Sequence, residues 1–183
     1  ICSDGTEIKA DAVIIGAGII PNTELAGDAG IAIDNGILVD EYGQTNHENI
    51  YACGDCTNHP NKLLNENLRL ESVHNAMEQS KTVASSILNV PIEYSQVPWF
   101  WSDQYDHKLQ IVGLSGNHDT VTMRGDVSEN KFMLFYSKNQ ELLAVDSINN
   151  PKEFLISRKL VEKKVKIDSE MIADPTTDLN KLI

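Results

Sequence analysis

The apolar residues of this chain change their spacing twice, and that change restricts it to a two-part fold. Ala10-Asp-Ala-Val-Ile-Ile-Gly16 is a short, nearly continuous apolar run closed by glycine, the pattern of a strand buried on both faces of a parallel sheet. Gly16-Ala-Gly-Ile-Ile-Pro-Asn22 interrupts it, and a short helix is expected through Thr23-Glu-Leu-Ala26. Further short strands are expected at 31–33, 37–39 and 50–53, each bounded by Gly, Asn or Asp. From Ser72 the period becomes helical. Val73, Ala76, Met77, Ser80, Val83, Ala84, Ile87 and Leu88 recur at steps of three and four, with Ser72 as N-cap and Asn89 and Pro91 as the stop. Such an apolar stripe calls for a surface to pack on.

After Pro98 the pattern turns to β-rich runs at 108–113, 120–124, 131–136 and 142–146, separated by Gly, Asn, Asp and Ser turns, which reads as an antiparallel meander. Asn150-Pro151-Lys-Glu153 then has the order of a cap, a first-turn proline and a first-turn carboxylate, opening a helix to about Lys164. The polar tail after Ile167 is expected to be only partly ordered. The fold class is therefore α/β, followed by an α+β domain with an antiparallel sheet and one or two helices. Residues 90–97 form the linker.

The charge narrows the partners. The chain carries a formal net charge of −12, and residues 1–50 hold one Lys against nine Asp or Glu. That balance excludes nucleic-acid binding, which rests on basic side chains neutralising phosphates. Arg158, Lys159, Lys163, Lys164 and Lys166 bunch together, which reads as the solvated face of a helix, with a docking patch as the alternative. No apolar run approaches the roughly 20 residues needed to span a bilayer, and no leader pattern opens the chain, so a cytoplasmic protein without a membrane partner is expected. The first residue is Ile1 rather than Met, and a piece of a longer protein is expected.

Cys53-Gly-Asp-Cys56, with His59 three residues on, offers either a redox thiol pair or part of a metal site. A structural zinc site needs a fourth ligand, and neither Cys2 nor the other histidines stand at a matching spacing. The favoured reading is two reduced cysteines flanking a Gly-Asp with its own task, and no metal is assigned. In Thr45-Asn-His-Glu-Asn-Ile-Tyr-Ala-Cys-Gly-Asp55 a short buried strand ends at Gly54, where backbone can approach a ligand. It is followed by a carboxylate able to accept hydrogen bonds from vicinal hydroxyls.

This segment resembles the second flavin-binding motif of flavoproteins with two dinucleotide-binding domains. Three more segments sharpen the resemblance. Val13-Ile-Ile-Gly-Ala-Gly-Ile-Ile-Pro-Asn22 is similar to the return from the NAD domain, and Arg69-Leu-Glu-Ser-Val-His-Asn-Ala-Met-Glu-Gln79 to the helix that abuts the flavin. Pro98-Trp-Phe-Trp-Ser-Asp-Gln-Tyr105 is similar to the opening of the C-terminal domain of FAD-dependent ferredoxin and rubredoxin reductases. These are the putidaredoxin reductase-like branch of the pyridine nucleotide-disulphide oxidoreductases.

The resemblance implies FAD and NAD(H) as cofactors and a [2Fe-2S] ferredoxin or a rubredoxin as electron acceptor, with no side chain required as acid or base. It implies that Asp55, after Gly54, holds the ribityl chain and that the main-chain N–H of Val73 meets the pyrimidine edge of the flavin. A helix N-terminus there would stabilise the negative charge a flavin takes on reduction. Many relatives carry Trp at the position of Val73. Glu71 would lie by the nicotinamide, with a surface salt bridge to Arg69 as its plain alternative, and Gly16 and Gly18 would lie beside NAD. Lys81, Trp99 and Trp101 would face the acceptor; their plain alternatives are a solvated lysine and core aromatics.

The implied boundaries are the end of an NAD-binding domain at 1–18, the C-terminal part of an FAD-binding domain at 19–97 and a reductase C-terminal domain at 98–183. The glycine-rich fingerprints for the FAD and NAD pyrophosphates are not in the chain, so the isolated 183 residues are expected to be inactive. The alternatives are an NADH oxidase or another disulfide-type flavin oxidoreductase on the same scaffold, or an inactive folding and interaction module.

Overall fold

A computed structural model describes residues 1–62 and 65–183. In the first part, helix α1 (Glu24–Asp28) precedes β1 (Ile37–Leu38), β2 (Thr57–Asn61) and β3 (Glu66–Leu68), which form a small sheet in that order. The β1–β2 pair is parallel and the β2–β3 pair antiparallel. Helix α2 (Val73–Ile87) follows. The second part is a five-stranded sheet of β4 (Trp99–Gln104), β5 (His107–Gly113), β6 (Thr120–Asp126), β7 (Lys131–Lys138) and β8 (Glu141–Ile148). It is covered on one face by α3 (Pro151–Glu162), with α4 (Ser169–Ala173) and a 3₁₀ turn (Leu179–Leu182) completing the layer. No helix among the described residues is long and apolar enough to cross a membrane.

The sheet order is β4-β5-β8-β7-β6, with every pair antiparallel. The expected plain meander is thus corrected. Strands β6 to β8 do run as a meander, but β8 closes against β5 of a separate β4–β5 hairpin. Alternation explains the core. Val112, Met133, Phe135 and Val145 point to one face and are buried against Phe154, Leu160 and Val161 of α3.

The tail after Ile167 is also corrected from partly ordered to packed. Ile167, Ile172 and Leu179 join the same core, and Asp168 caps α4 through Oδ1, which accepts from the Glu170 and Met171 N–H groups. Asn150 opens α3 as expected but makes no side-chain cap to the backbone. Its amide donates instead to Glu153 Oε2 at 2.8 Å.

Residues 10–16 form no strand, and Val13, Ile14 and Ile15 are largely exposed. A run apolar on both faces needs cover on both faces, and no described element covers either. The stretches 31–33 and 50–53 contribute only single bridges, at Ile33 and Tyr51. The strand of that region instead begins after the Gly-Asp, at Thr57.

Helix α2 gives the sharpest departure. Its N-cap is Ser72, whose Oγ accepts from the Asn75 N–H at 3.1 Å, as the sequence indicates. Its buried face is polar, however, made of Asn75, Gln79, Thr82 and Ser85, while Val73, Met77, Ile87 and Leu88 of the apolar stripe are more than half exposed. Hydrogen bonds, not apolar burial, fasten this helix to the described residues.

Candidate functional site

Those hydrogen bonds build the site. Gly54 adopts φ +85°, a backbone region that only glycine enters freely, and is buried against Ala76 of α2. Its N–H donates to Gln79 Oε1 at 2.6 Å, and the Thr57 hydroxyl lies 2.9 Å from the same Oε1 and 2.8 Å from the Gly54 carbonyl. One turn earlier on α2, the Asn75 amide donates to the Leu70 carbonyl, while its Oδ1 accepts from the Tyr94 hydroxyl at 2.8 Å. Burial pushes the Tyr94 phenol up to about 12, so it remains a donor at neutral pH. The 53–57 loop, α2 and the 90–97 segment are thereby locked in one arrangement.

The outcome at the surface is an exposed Asp55 beside the start of α2. Arg69 makes the connection. Its Nη1 donates to the Asp55 carbonyl at 3.1 Å and pairs with Glu71 Oε1 at 2.8 Å. Glu71 therefore has the salt bridge foreseen as its plain alternative and keeps an exposed carboxylate. Val73 is 57% exposed. The Ser72 cap takes the Asn75 N–H, leaving the Val73 and His74 N–H groups with no acceptor among the described residues. An exposed carboxylate, a glycine corner and two free N–H groups at a helix terminus thus stand together as a cradle of polar groups, of a kind able to hold an anionic or hydroxylated ligand.

Trp99 abuts this terminus. Its ring lies 5.7 Å from that of His74 and stacks on Trp101 at 5.0 Å with 30° between the planes. Trp101 is 42% exposed, and Phe100 points to the opposite face of the sheet. Lys81, two turns further along α2, is exposed and pairs with Glu78 at 2.6 Å. Gly16 and Gly18 lie in the exposed, irregular segment before α1, with open space where a side chain would stand, so nothing described draws them to the cradle.

Cys53 and Cys56 are free thiols, and Cys56 Sγ points to the Cys53 carbonyl at 3.6 Å. Partial burial, with the neighbouring Cys56, pushes the Cys53 thiol up, away from the thiolate a redox pair needs. Among the described residues no cluster of His, Cys, Asp and Glu could hold a metal. In the full-length protein, replacing both cysteines by serine is expected to leave any NADH oxidation within about twofold, because Cys53 is not held as a thiolate. Abolished turnover in a stopped-flow assay would make the pair part of the chemistry.

Comparison with known proteins decides what this arrangement belongs to. The family model of the pyridine nucleotide-disulphide oxidoreductases matches residues 1–80, and the reductase C-terminal model matches residues 99–183. The chain belongs to the ferredoxin reductase family. The chain is 39% identical over its whole length to the putidaredoxin reductase of Pseudomonas putida and 41% identical over 99% of its length to the rhodocoxin reductase of Rhodococcus erythropolis. It spans 43% and 42% of those relatives, less than half of each.

Among solved structures it matches the ferredoxin reductase for the CYP199A2 system from Rhodopseudomonas palustris with a TM-score of 0.92 at 40% identity. That match covers 98% of this chain and 44% of the other. The covalent putidaredoxin reductase–putidaredoxin complex matches at 0.91 and 40%, covering 99% and 43%.

The motif singles out Asp55, Gly54 and Val73 in the sequence but not the residues that hold that corner in place. Asn75, Gln79 and Tyr94 read as helix and linker filler. The available signal was the polar spacing Asn75, Gln79, Thr82 on the side of α2 away from the apolar stripe. His74 is the α2 residue that meets Trp99, a contact no local pattern announces.

Proposed function

We propose that the chain supplies the flavin-cradling and acceptor-docking part of an FAD-dependent NADH:ferredoxin reductase, passing electrons from NADH to a [2Fe-2S] ferredoxin or a rubredoxin in the cytoplasm. The observation that carries the reading is the junction of the Gly54-Asp55 corner with the free N–H groups of the α2 terminus, in a chain that matches ferredoxin reductases over its full length. Residues 1–18 would close the NAD-binding domain, 19–97 belong to the FAD-binding domain and 98–183 form the docking domain.

The residues fit the cofactor. Asp55 would take the hydroxyls of the FAD ribityl chain, and the Val73 N–H would face the pyrimidine edge of the flavin, where the helix dipole favours negative charge. FAD would supply the hydride acceptance and the one-electron release, and the chain positions and tunes it. Glu71 would lie toward the nicotinamide, and Gly16 and Gly18 would line the NAD path. Trp99, Trp101 and Lys81 would meet the acceptor protein.

NADH-driven reduction of a panel of ferredoxins and rubredoxins, by protein that retains its flavin, tests the proposal; no reduction of any carrier would overturn it. Lys81 carries a second test. Lys81→Glu reverses one charge on the docking side, and it is expected to raise the KM for an acidic carrier about three- to tenfold at low salt, the gap closing near 0.5 M salt. A KM that does not respond would place Lys81 outside the interface.

A further inference from the structure

Arg158, on the third turn of α3, has its guanidinium carbon 4.9 Å from the centroid of the Trp99 ring. It makes neither a hydrogen bond nor an ion pair with any described residue, so no carboxylate neutralises it or fixes its direction. Trp99 is equally unanchored by polar contacts: its indole N–H is buried with no acceptor. The ring packs along the edge of the core, and the groups that lie on it are Arg158 from α3, His74 from α2, Phe154 at 6.2 Å and Trp101 stacked outside. Of these, a cation over an aromatic face is the directional contact. Trp101 stands on β4, an edge strand of the sheet, where an exposed indole has free rotamers unless something stacks on it.

We propose that Arg158 is a positioning residue of the docking surface: by lying on Trp99 it holds the Trp99–Trp101 pair face to face and presents Trp101 as a pre-ordered aromatic contact for the electron-acceptor protein. This rests on the reductase reading above and adds to it the group that orders the platform. Pre-ordering matters because a side chain immobilised only on encounter subtracts its lost freedom from the affinity. The surroundings keep a second cation off the ring. Burial, with Arg158 and Lys81 nearby, lowers the His74 pKa despite Glu78, leaving that imidazole neutral at pH 7.

The two tryptophans of the pair are the only ones in the chain, so the indole band of the near-ultraviolet dichroism and the fluorescence excited at the indole edge, beyond the tyrosine absorption, report on this stack. Arg158→Met keeps the length of the stem and removes the cation. It is expected to lower the stacked population about fivefold, seen as a loss of more than half of the indole dichroism band with the far-ultraviolet spectrum unchanged. Arg158→Lys restores part of the band, because an ammonium still attracts the ring face without the planar stacking of a guanidinium. In flavin-loaded protein the same Met variant is expected to raise the KM for the carrier protein about fivefold while kcat changes less than twofold.

An indole band equal in the native and Met forms overturns the positioning role, and Arg158→Gln decides the point should the Met variant misfold. A lost band with an unchanged KM overturns the docking platform and leaves the reductase reading intact. Native protein that reduces no carrier overturns that reading, while the dichroism still decides whether Arg158 orders the pair.

Discussion

Arg124→Ala is expected to cost the fold about 3–5 kcal/mol, the effect of removing one partner from a buried ion pair. Arg124 is 3% exposed, and all five of its N–H groups are used. Nε and Nη2 grip the Glu153 carboxylate of α3 at 2.7–3.2 Å, while Nη1 and Nη2 reach the carbonyls of Ile172, Asp174, Pro175 and Thr177. One side chain on β6 thus ties α3 and the C-terminal tail to the sheet. Its loss leaves a half-buried carboxylate and four carbonyls short of a donor at once.

Thermal unfolding should fall by on the order of 10 °C, and Arg124→Lys should recover less than half, since three donors on a point charge cannot replace a planar fork. A urea midpoint indistinguishable from native would show that water replaces the guanidinium at no cost. The effect should also depend on pH. Burial would raise the Glu153 pKa, but the hydrogen bonds and charge of Arg124, helped by Asn150, outweigh it and hold the folded value below the unfolded one. That contribution is complete above the ordinary glutamate range and disappears as pH falls through the folded value. Native and variant stabilities should therefore converge in acid.

Arg124 also marks where the sequence stopped being legible. Its partners lie 29 to 53 residues away, and no local pattern announces a contact of that range. What could be read was local. The Ser72 cap, the start of α3 at Pro151 and four of the five strands of the larger sheet follow from periodicity and capping chemistry, which act within a few residues. Strand β4 was recognised only as a family segment, because Trp-Phe-Trp lacks the polar alternation that marks a half-buried strand.

Residues 10–16 and the α2 stripe failed for one shared reason. Apolar spacing records what a segment must bury, and it is silent on whether the burying surface lies among these residues. Among the described residues the inner face of α2 is therefore the polar one, and the apolar stripe is left uncovered. Hydrogen bonds from Gly54, Thr57 and Tyr94 decide its orientation here, and each comes from a part of the chain distant in sequence.

That same network makes Asp55 the residue whose loss should act most strongly on the cofactor. Gly54 is held by Gln79 and Asp55 through its own carbonyl by Arg69, so the backbone of the corner does not depend on the Asp55 carboxylate. Asp55→Ala should therefore leave the local fold intact while removing the acceptor proposed for the ribityl hydroxyls. A charged hydrogen-bond acceptor lost from a ligand site corresponds to roughly tenfold to a hundredfold weaker binding. In the full-length protein the expected result is a variant that elutes from gel filtration with its dichroism unchanged but most of its flavin gone, regained on adding excess FAD.

Asp55→Asn separates charge from shape: an amide oxygen still accepts, so flavin retention should fall between the native and alanine forms. Unchanged flavin content in Asp55→Ala would remove the ribityl role. The α2 terminus would then be left as the flavin contact, through backbone N–H groups that no substitution short of proline deletes.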